Sequence, residues 1–199
     1  VTIVIEEQGS RLRIRAEYPE QKSIWKKKSL HVSVNYLLTI PDKVSVDIDS
    51  TSGSVDLEKI GGAVKVNVTS GDIEVRGAAK GVDCDVTSGG LTVVDVVGDS
   101  YLKATSGEIT IDRVKGSIRA ETISGAIEMK SVSEAKFVQG KALSGSVVYE
   151  GEINPEGRYE LETQSGEVEM RLPADSSFEL EARTFSGKVE SDFEIRISG

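Results

Sequence analysis

The chain has one cysteine (Cys84), one histidine (His31) and one tryptophan (Trp25) in 199 residues. One cysteine excludes an intrachain disulfide framework. One histidine, expected on an N-terminal strand, leaves no Cys/His metal cluster and no H-E-x-x-H motif, and a single candidate base for nucleophilic catalysis. Aromatic residues make up 5% of the chain, which argues against an aromatic-lined sugar groove. Apolar runs extend only a few residues, so no stretch reads as a membrane span or signal peptide. Basic charge is also short. Lys and Arg number 24 against 33 Asp and Glu, for a net charge of -9. That field repels phosphate, so nucleic acid is not an expected partner.

Glycine is plentiful, and it is ordered. Eight Ser-Gly dipeptides stand at near-regular spacing: Ser52-Gly53, Ser70-Gly71, Ser88-Gly89, Ser106-Gly107, Ser124-Gly125, Ser144-Gly145, Ser165-Gly166 and Ser186-Gly187. The gaps are 18, 18, 18, 18, 20, 21 and 21 residues. A fixed period near this length is the signature of a repeat architecture.

Aligned on the glycine, the first four repeats show six apolar columns. The first repeat supplies Val55, Leu57, Ile60, Val64, Val66 and Val68. Ser100 and Thr122 are the polar exceptions, and Cys84 falls in a core column as a small buried hydrophobe. Apolar residues alternate with polar ones within short runs, which predicts strands with one buried face. Two runs per repeat are split by two turns, one at Ser-Gly and one at Gly62, Gly81, Gly98 or Gly116. Glycine supplies positive φ at such turns, and the serine hydroxyl is expected to bond nearby backbone.

The predicted fold is all-β: a parallel β-helix, or solenoid, of about eight coils. Residues 1–48 are expected to form an N-terminal β cap from strands at 1–6, 11–17, 30–40 and 44–48. Residues 49–199 form the solenoid. Extra length in the later repeats is expected in the far turn, as at 150–157, where a solenoid tolerates loops.

Several features are weighed as sites. Trp25 with Lys26, Lys27 and Lys28 is a basic tip on an acidic chain. It is either a contact for an anionic glycan, headgroup or partner, or a plug of the coil end with solvated lysines. Thr51, Thr69, Thr87 and Thr105 precede the first four corners and give way to Ile123, Leu143, Gln164 and Phe185. The threonines suit a strand end. Ile123, Leu143 and Phe185 form an outward apolar patch that either docks a partner or lies under the C-terminal segment; cover is the expectation. Outward acids such as Asp56 and Glu74 stack, but no G-G-x-G-x-D calcium motif accompanies them. The serines of the ruler are structural turn residues. No catalytic residue, metal ligand or cofactor emerges.

The recurrent V-x-V-x-T-S-G-x-I-x-V pattern, carried by 64–75 and 82–93, resembles the DUF4097-type adhesin domain of bacteria and archaea. Residues 36–41 (YLLTIP) are similar to that family's entry strand. Residues 169–187 (EMRLPADSSFELEARTFSG) are similar to its C-terminal run. The resemblance spans about residues 30–193. It implies a single-stranded, right-handed β-helix in surface-exposed or membrane-attached proteins and supplies no catalytic residues. Fold alone does not give function.

The expected function is a non-enzymatic, surface-associated scaffold or binding module. The alternative is a polysaccharide-binding or polysaccharide-cleaving β-helix protein. The expected address is extracellular, at the cell surface or membrane-attached through a segment outside these residues. A surface glycan, a cell-envelope component or a protein are the partner classes, and self-association through coil ends or edges is a further option.

Overall fold

The computed structural model describes residues 2–8, 11–17, 34–179, 181 and 190–192. Trp25, Lys26, Lys27, Lys28, His31, Phe185 and the Ser186-Gly187 corner lie outside them. The chain divides into two units, Val1–Ile40 and Pro41–Gly199.

In the first unit, β1 (Thr2–Gln8) and β2 (Arg11–Glu17) pair antiparallel, in register from Thr2–Glu17 to Gln8–Arg11. Both strands were expected. Residues 34–40 are irregular rather than a strand.

The second unit is the solenoid. One seven-stranded parallel sheet contains β3 (Val46–Ser52), β5 (Val64–Ser70), β7 (Val82–Ser88), β9 (Ser100–Ser106), β11 (Ile118–Ser124), β13 (Phe137–Ser144) and β15 (Arg158–Ser165). The other contains β4 (Val55–Ile60), β6 (Ile73–Ala78), β8 (Leu91–Val97), β10 (Ile109–Lys115), β12 (Ile127–Val132), β14 (Val147–Gly151) and β16 (Val168–Arg171). Consecutive strands fall in alternate sheets, and each pairs with its equivalent one coil later. Among the described residues this makes seven coils. The ladders begin at Val46, which pairs with Val64, so 46–48 belong to the first coil.

Register follows the sequence period. In the first sheet Val66, Cys84, Leu102 and Ala120 pair in succession and are all buried. In the second, Ile73, Leu91, Ile109 and Ile127 do the same. Of the columns read from the first four repeats, only Leu57 is less than fully buried. Each fully buried Val, Leu or Ile contributes about 1.5–3 kcal/mol.

The Ser-Gly corner is built from backbone. The N–H of Gly71 donates to the carbonyl of Ser88 at 2.9 Å, and that of Gly107 to Ser124 at 2.9 Å. A Cβ on Gly107 would lie 1.9 Å from the Gly89 carbonyl oxygen, and Gly107 has φ +155°. The corners stack so closely that only glycine fits between successive carbonyls. The expected hydroxyl bonds are not made: among the described residues the corner serines contribute their carbonyls to the stack.

The core changes character in the fifth and sixth coils. Met129 and Tyr149 follow Leu57, Val75, Val93 and Ile111 in one column, and both are fully buried. Across from them, Ala120 and Gly140 follow Val66, Cys84 and Leu102. A Cβ on Gly140 would lie 2.8 Å from Val147 Cγ1 and 2.9 Å from Met129 Cε. Small residues on one sheet make room for large ones on the other, as close packing requires. The Tyr149 hydroxyl donates to the Glu152 carbonyl at 2.7 Å, and its ring meets Tyr159 edge-on at 5.4 Å. The 152–157 loop opens there, in the far turn, as expected.

Candidate binding face

The two solenoid sheets present different outer faces. On the sheet of β4 to β16, charged side chains are largely paired with one another. Arg113 bonds Asp95 at 2.6 Å and also Asp112; Arg76 pairs with Glu74. Lys130 lies 2.7 Å from Glu128, and Arg171 reaches Glu169 at 2.8 Å and Glu150 at 3.4 Å. The Arg113 bond holds Asp95 below the usual carboxylate range. These exposed pairs set local geometry more than stability.

The outer face of the sheet of β3 to β15 is more open. Its middle column runs Asp49, Asn67, Asp85, Lys103, Glu121, Lys141, Glu162, each paired in register with the next. Beside it, near the Ser-Gly corner, runs the Thr51 to Gln164 rank. Two grooves lie between these ranks. One, of about 240 Å³, is lined by Asp49, Asn67, Asp85, Thr51, Thr69 and Thr87. The other, of about 500 Å³, is lined by Lys103, Glu121, Ile123, Lys141, Leu143 and Glu162 among others.

The first groove is mainly polar, with Val68 as its one apolar lining residue. Asn67 donates to Asp49 at 2.8 Å, which fixes its amide and leaves Asp85 presented one coil further on. The second mixes both charges with apolar surface. Lys141 reaches Glu162 at 3.2 Å. Ile123 and Leu143 are 47% and 50% exposed; the C-terminal segment expected to cover them lies largely outside the described residues.

A third column on this face carries an aromatic clamp that sequence reading missed. The Arg119 guanidinium lies 5.9 Å from the Tyr101 ring centroid and 5.6 Å from that of Phe137. Arg119 and Tyr101 are register partners, one coil apart. The signal was available as an aromatic next to a cation at the repeat spacing. Further along, Gln139 donates to Glu160 at 2.8 Å and Arg158 bonds it at 2.7 Å, which lowers the Glu160 pKa.

Among the described residues no group of three or more His, Cys, Asp and Glu side chains is placed to hold a metal ion. Nor is any helix long and apolar enough to cross a membrane. Cys84 is buried, and burial with Asp83 nearby pushes its thiol up to about 12. A thiol with that pKa carries little thiolate at neutral pH and is a poor nucleophile.

The Toastrack DUF4097 family model matches residues 78–198, more than half of the chain. The chain belongs to this family. The match runs from the second coil of the Toastrack solenoid into its C-terminal residues and takes in the second groove, while most of the first groove lies before it. No curated protein and no solved structure matches the chain.

Proposed function

We propose that this Toastrack domain is a non-enzymatic binding module or scaffold of the cell surface, with its ligand contact on the outer face of the β3–β15 sheet. The observation that carries this reading is the polar groove of the first coils. Asp49, Asn67 and Asp85 repeat at one coil spacing, about 4.8 Å, beside a parallel rank of Thr51, Thr69 and Thr87. Such a strip offers carboxylate acceptors, an amide and hydroxyls in a line, which suits the hydroxyl groups of an extended glycan. The family resemblance to adhesin-like domains supports the surface address and the absence of chemistry.

A polysaccharide-cleaving enzyme is the second reading. It is favoured by Glu121 and Glu162 lining one groove with Lys103 and Lys141. Glycoside hydrolysis needs one carboxyl held protonated, with its pKa raised. Lys141 stands between the two glutamates in register and lies 3.2 Å from Glu162, an arrangement that favours binding over general-acid catalysis.

The test is a binding screen of the full chain against cell-envelope polysaccharides and a glycan array, alongside the Asn67→Ala and Asp85→Ala variants. Binding that weakens about tenfold in the variants is expected. New reducing ends or unsaturated sugar products in the same incubation would establish the enzyme instead. A screen with no envelope ligand would remove the binding reading.

A further inference from the structure

The second groove carries charges whose order has a consequence. From β9 to β15 the middle column reads Lys103, Glu121, Lys141, Glu162: plus, minus, plus, minus. Ile123 and Leu143 flank the midpoint of that run and are about half exposed. We infer that this half of the face joins two copies of the chain into an antiparallel two-fold dimer.

A two-fold axis in the interface, parallel to the strands and between β11 and β13, reverses the order of coils and leaves each column facing itself. Lys103 then meets Glu162 of the second copy, and Glu121 meets its Lys141. Ile123 meets Leu143 of the second copy across the axis. Every contact is made twice, as an isologous interface requires, and the assembly closes at two.

The neighbouring column fits the same operation. Arg119 faces Gln139 of the second copy and Tyr101 faces its Glu160, with no like charges opposed. An axis along the solenoid would instead keep the coil order. Lys103 would then sit on Lys103 and Glu121 on Glu121, which opposes like charges at every step. The charge order therefore selects the antiparallel arrangement.

Size sets the strength. Four coils by one strand cover about 19 by 23 Å, a footprint of about 440 Å² per chain. That is at the small end for specific association, so the dimer is weak and concentration-dependent. It uses the later coils and leaves the first groove free, so this inference and the ligand reading fail independently.

Sedimentation velocity of the full chain over a concentration series tests it. Reversible dimer formation is expected as concentration rises. Glu121→Lys opposes two lysines at two places in the dimer and weakens association at least about tenfold. Glu121→Lys combined with Lys141→Glu restores it. A short thiol-to-thiol crosslinker should join Ile123→Cys protein to Leu143→Cys protein when they are mixed, in preference to either alone. Circular dichroism checks that each variant is folded. A folded wild-type chain that stays monomeric at every concentration overturns the inference. So does a Glu121→Lys variant that associates normally, a swap that fails to rescue, or a crosslink that prefers like positions.

Discussion

The first four coils and the later ones solve the same packing problem differently. Through the fourth coil the period stays at 18 residues, and each core layer is filled by side chains of similar size, such as Val66 against Val75 or Cys84 against Val93. In the next two coils the period grows, and Met129 and Tyr149 are accommodated by Ala120 and Gly140. The outer face changes over the same stretch. Thr87 and Thr105 give way to Ile123 and Leu143, and the acidic run from Asp49 to Asp85 gives way to alternating charge. A strict repeat lets every layer use one solution. Once the repeat loosens, neighbouring layers must compensate for one another, and the face they present diversifies.

The sharpest way to break this contrast is to make one substitution in both regions. Gly140→Val drives side-chain atoms into Val147 and Met129 and should cost several kcal/mol, while Cys84→Val in the same column changes volume little and should cost under about 1.5 kcal/mol. Equal urea midpoints for the two variants would show that the later core is no tighter than the first. Cys84→Asp, by contrast, buries an unpaired charge and should be strongly destabilising even in the regular region; an unchanged melting temperature would refute its inward position.

The next effect is in pH. The folded Cys84 thiol keeps its proton up to about 12, whereas its ordinary value is 9.0. The unfolded chain therefore releases this proton first, and stability falls as pH rises from about 9 toward 12. Cys84→Val should lack that share of the fall, and the native thiol should resist alkylation at pH 8. Rapid labelling of folded protein would contradict its burial.

The smallest effect belongs to the later coils. Tyr149→Phe removes the hydrogen bond to the Glu152 carbonyl and keeps the ring, so a loss of about 1 kcal/mol is expected. Thermal unfolding measures it; no loss would mean that the 152–157 loop does not depend on that bond.

Much of the fold was legible because its period is short and its columns are pure. Val66, Cys84 and Leu102 lie inward because alternation and spacing leave them no other face. The Ser-Gly corner was legible for the same reason, although the serine acts through its carbonyl. A further bend was not legible. Lys59, Asp95, Arg113 and Ser131 all take positive φ near 50–60°, stacked in register with Gly77. A left-handed residue costs roughly 1–2 kcal/mol outside glycine, so sequence reading looks for glycine there and finds it once. The stacked ladders impose the conformation regardless.

The candidate face divides the same way. The threonine rank and the Ile123–Leu143 patch could be read from spacing. The Arg119 clamp also left a signal, Tyr101 one repeat before it; the grooves left none, because they depend on which side chains lean toward each other across coils.

By itself, the sequence determined the coil, its register and its inward columns. Period-two alternation with a glycine at every corner leaves a parallel stack as the way to bury those residues and pair their backbone. Tertiary structure alone decided that Gly140 makes room for Met129 and that Lys103, Glu121, Lys141 and Glu162 line one groove. Those facts depend on distances between residues about 20 apart in the chain, set only when the coils come into contact.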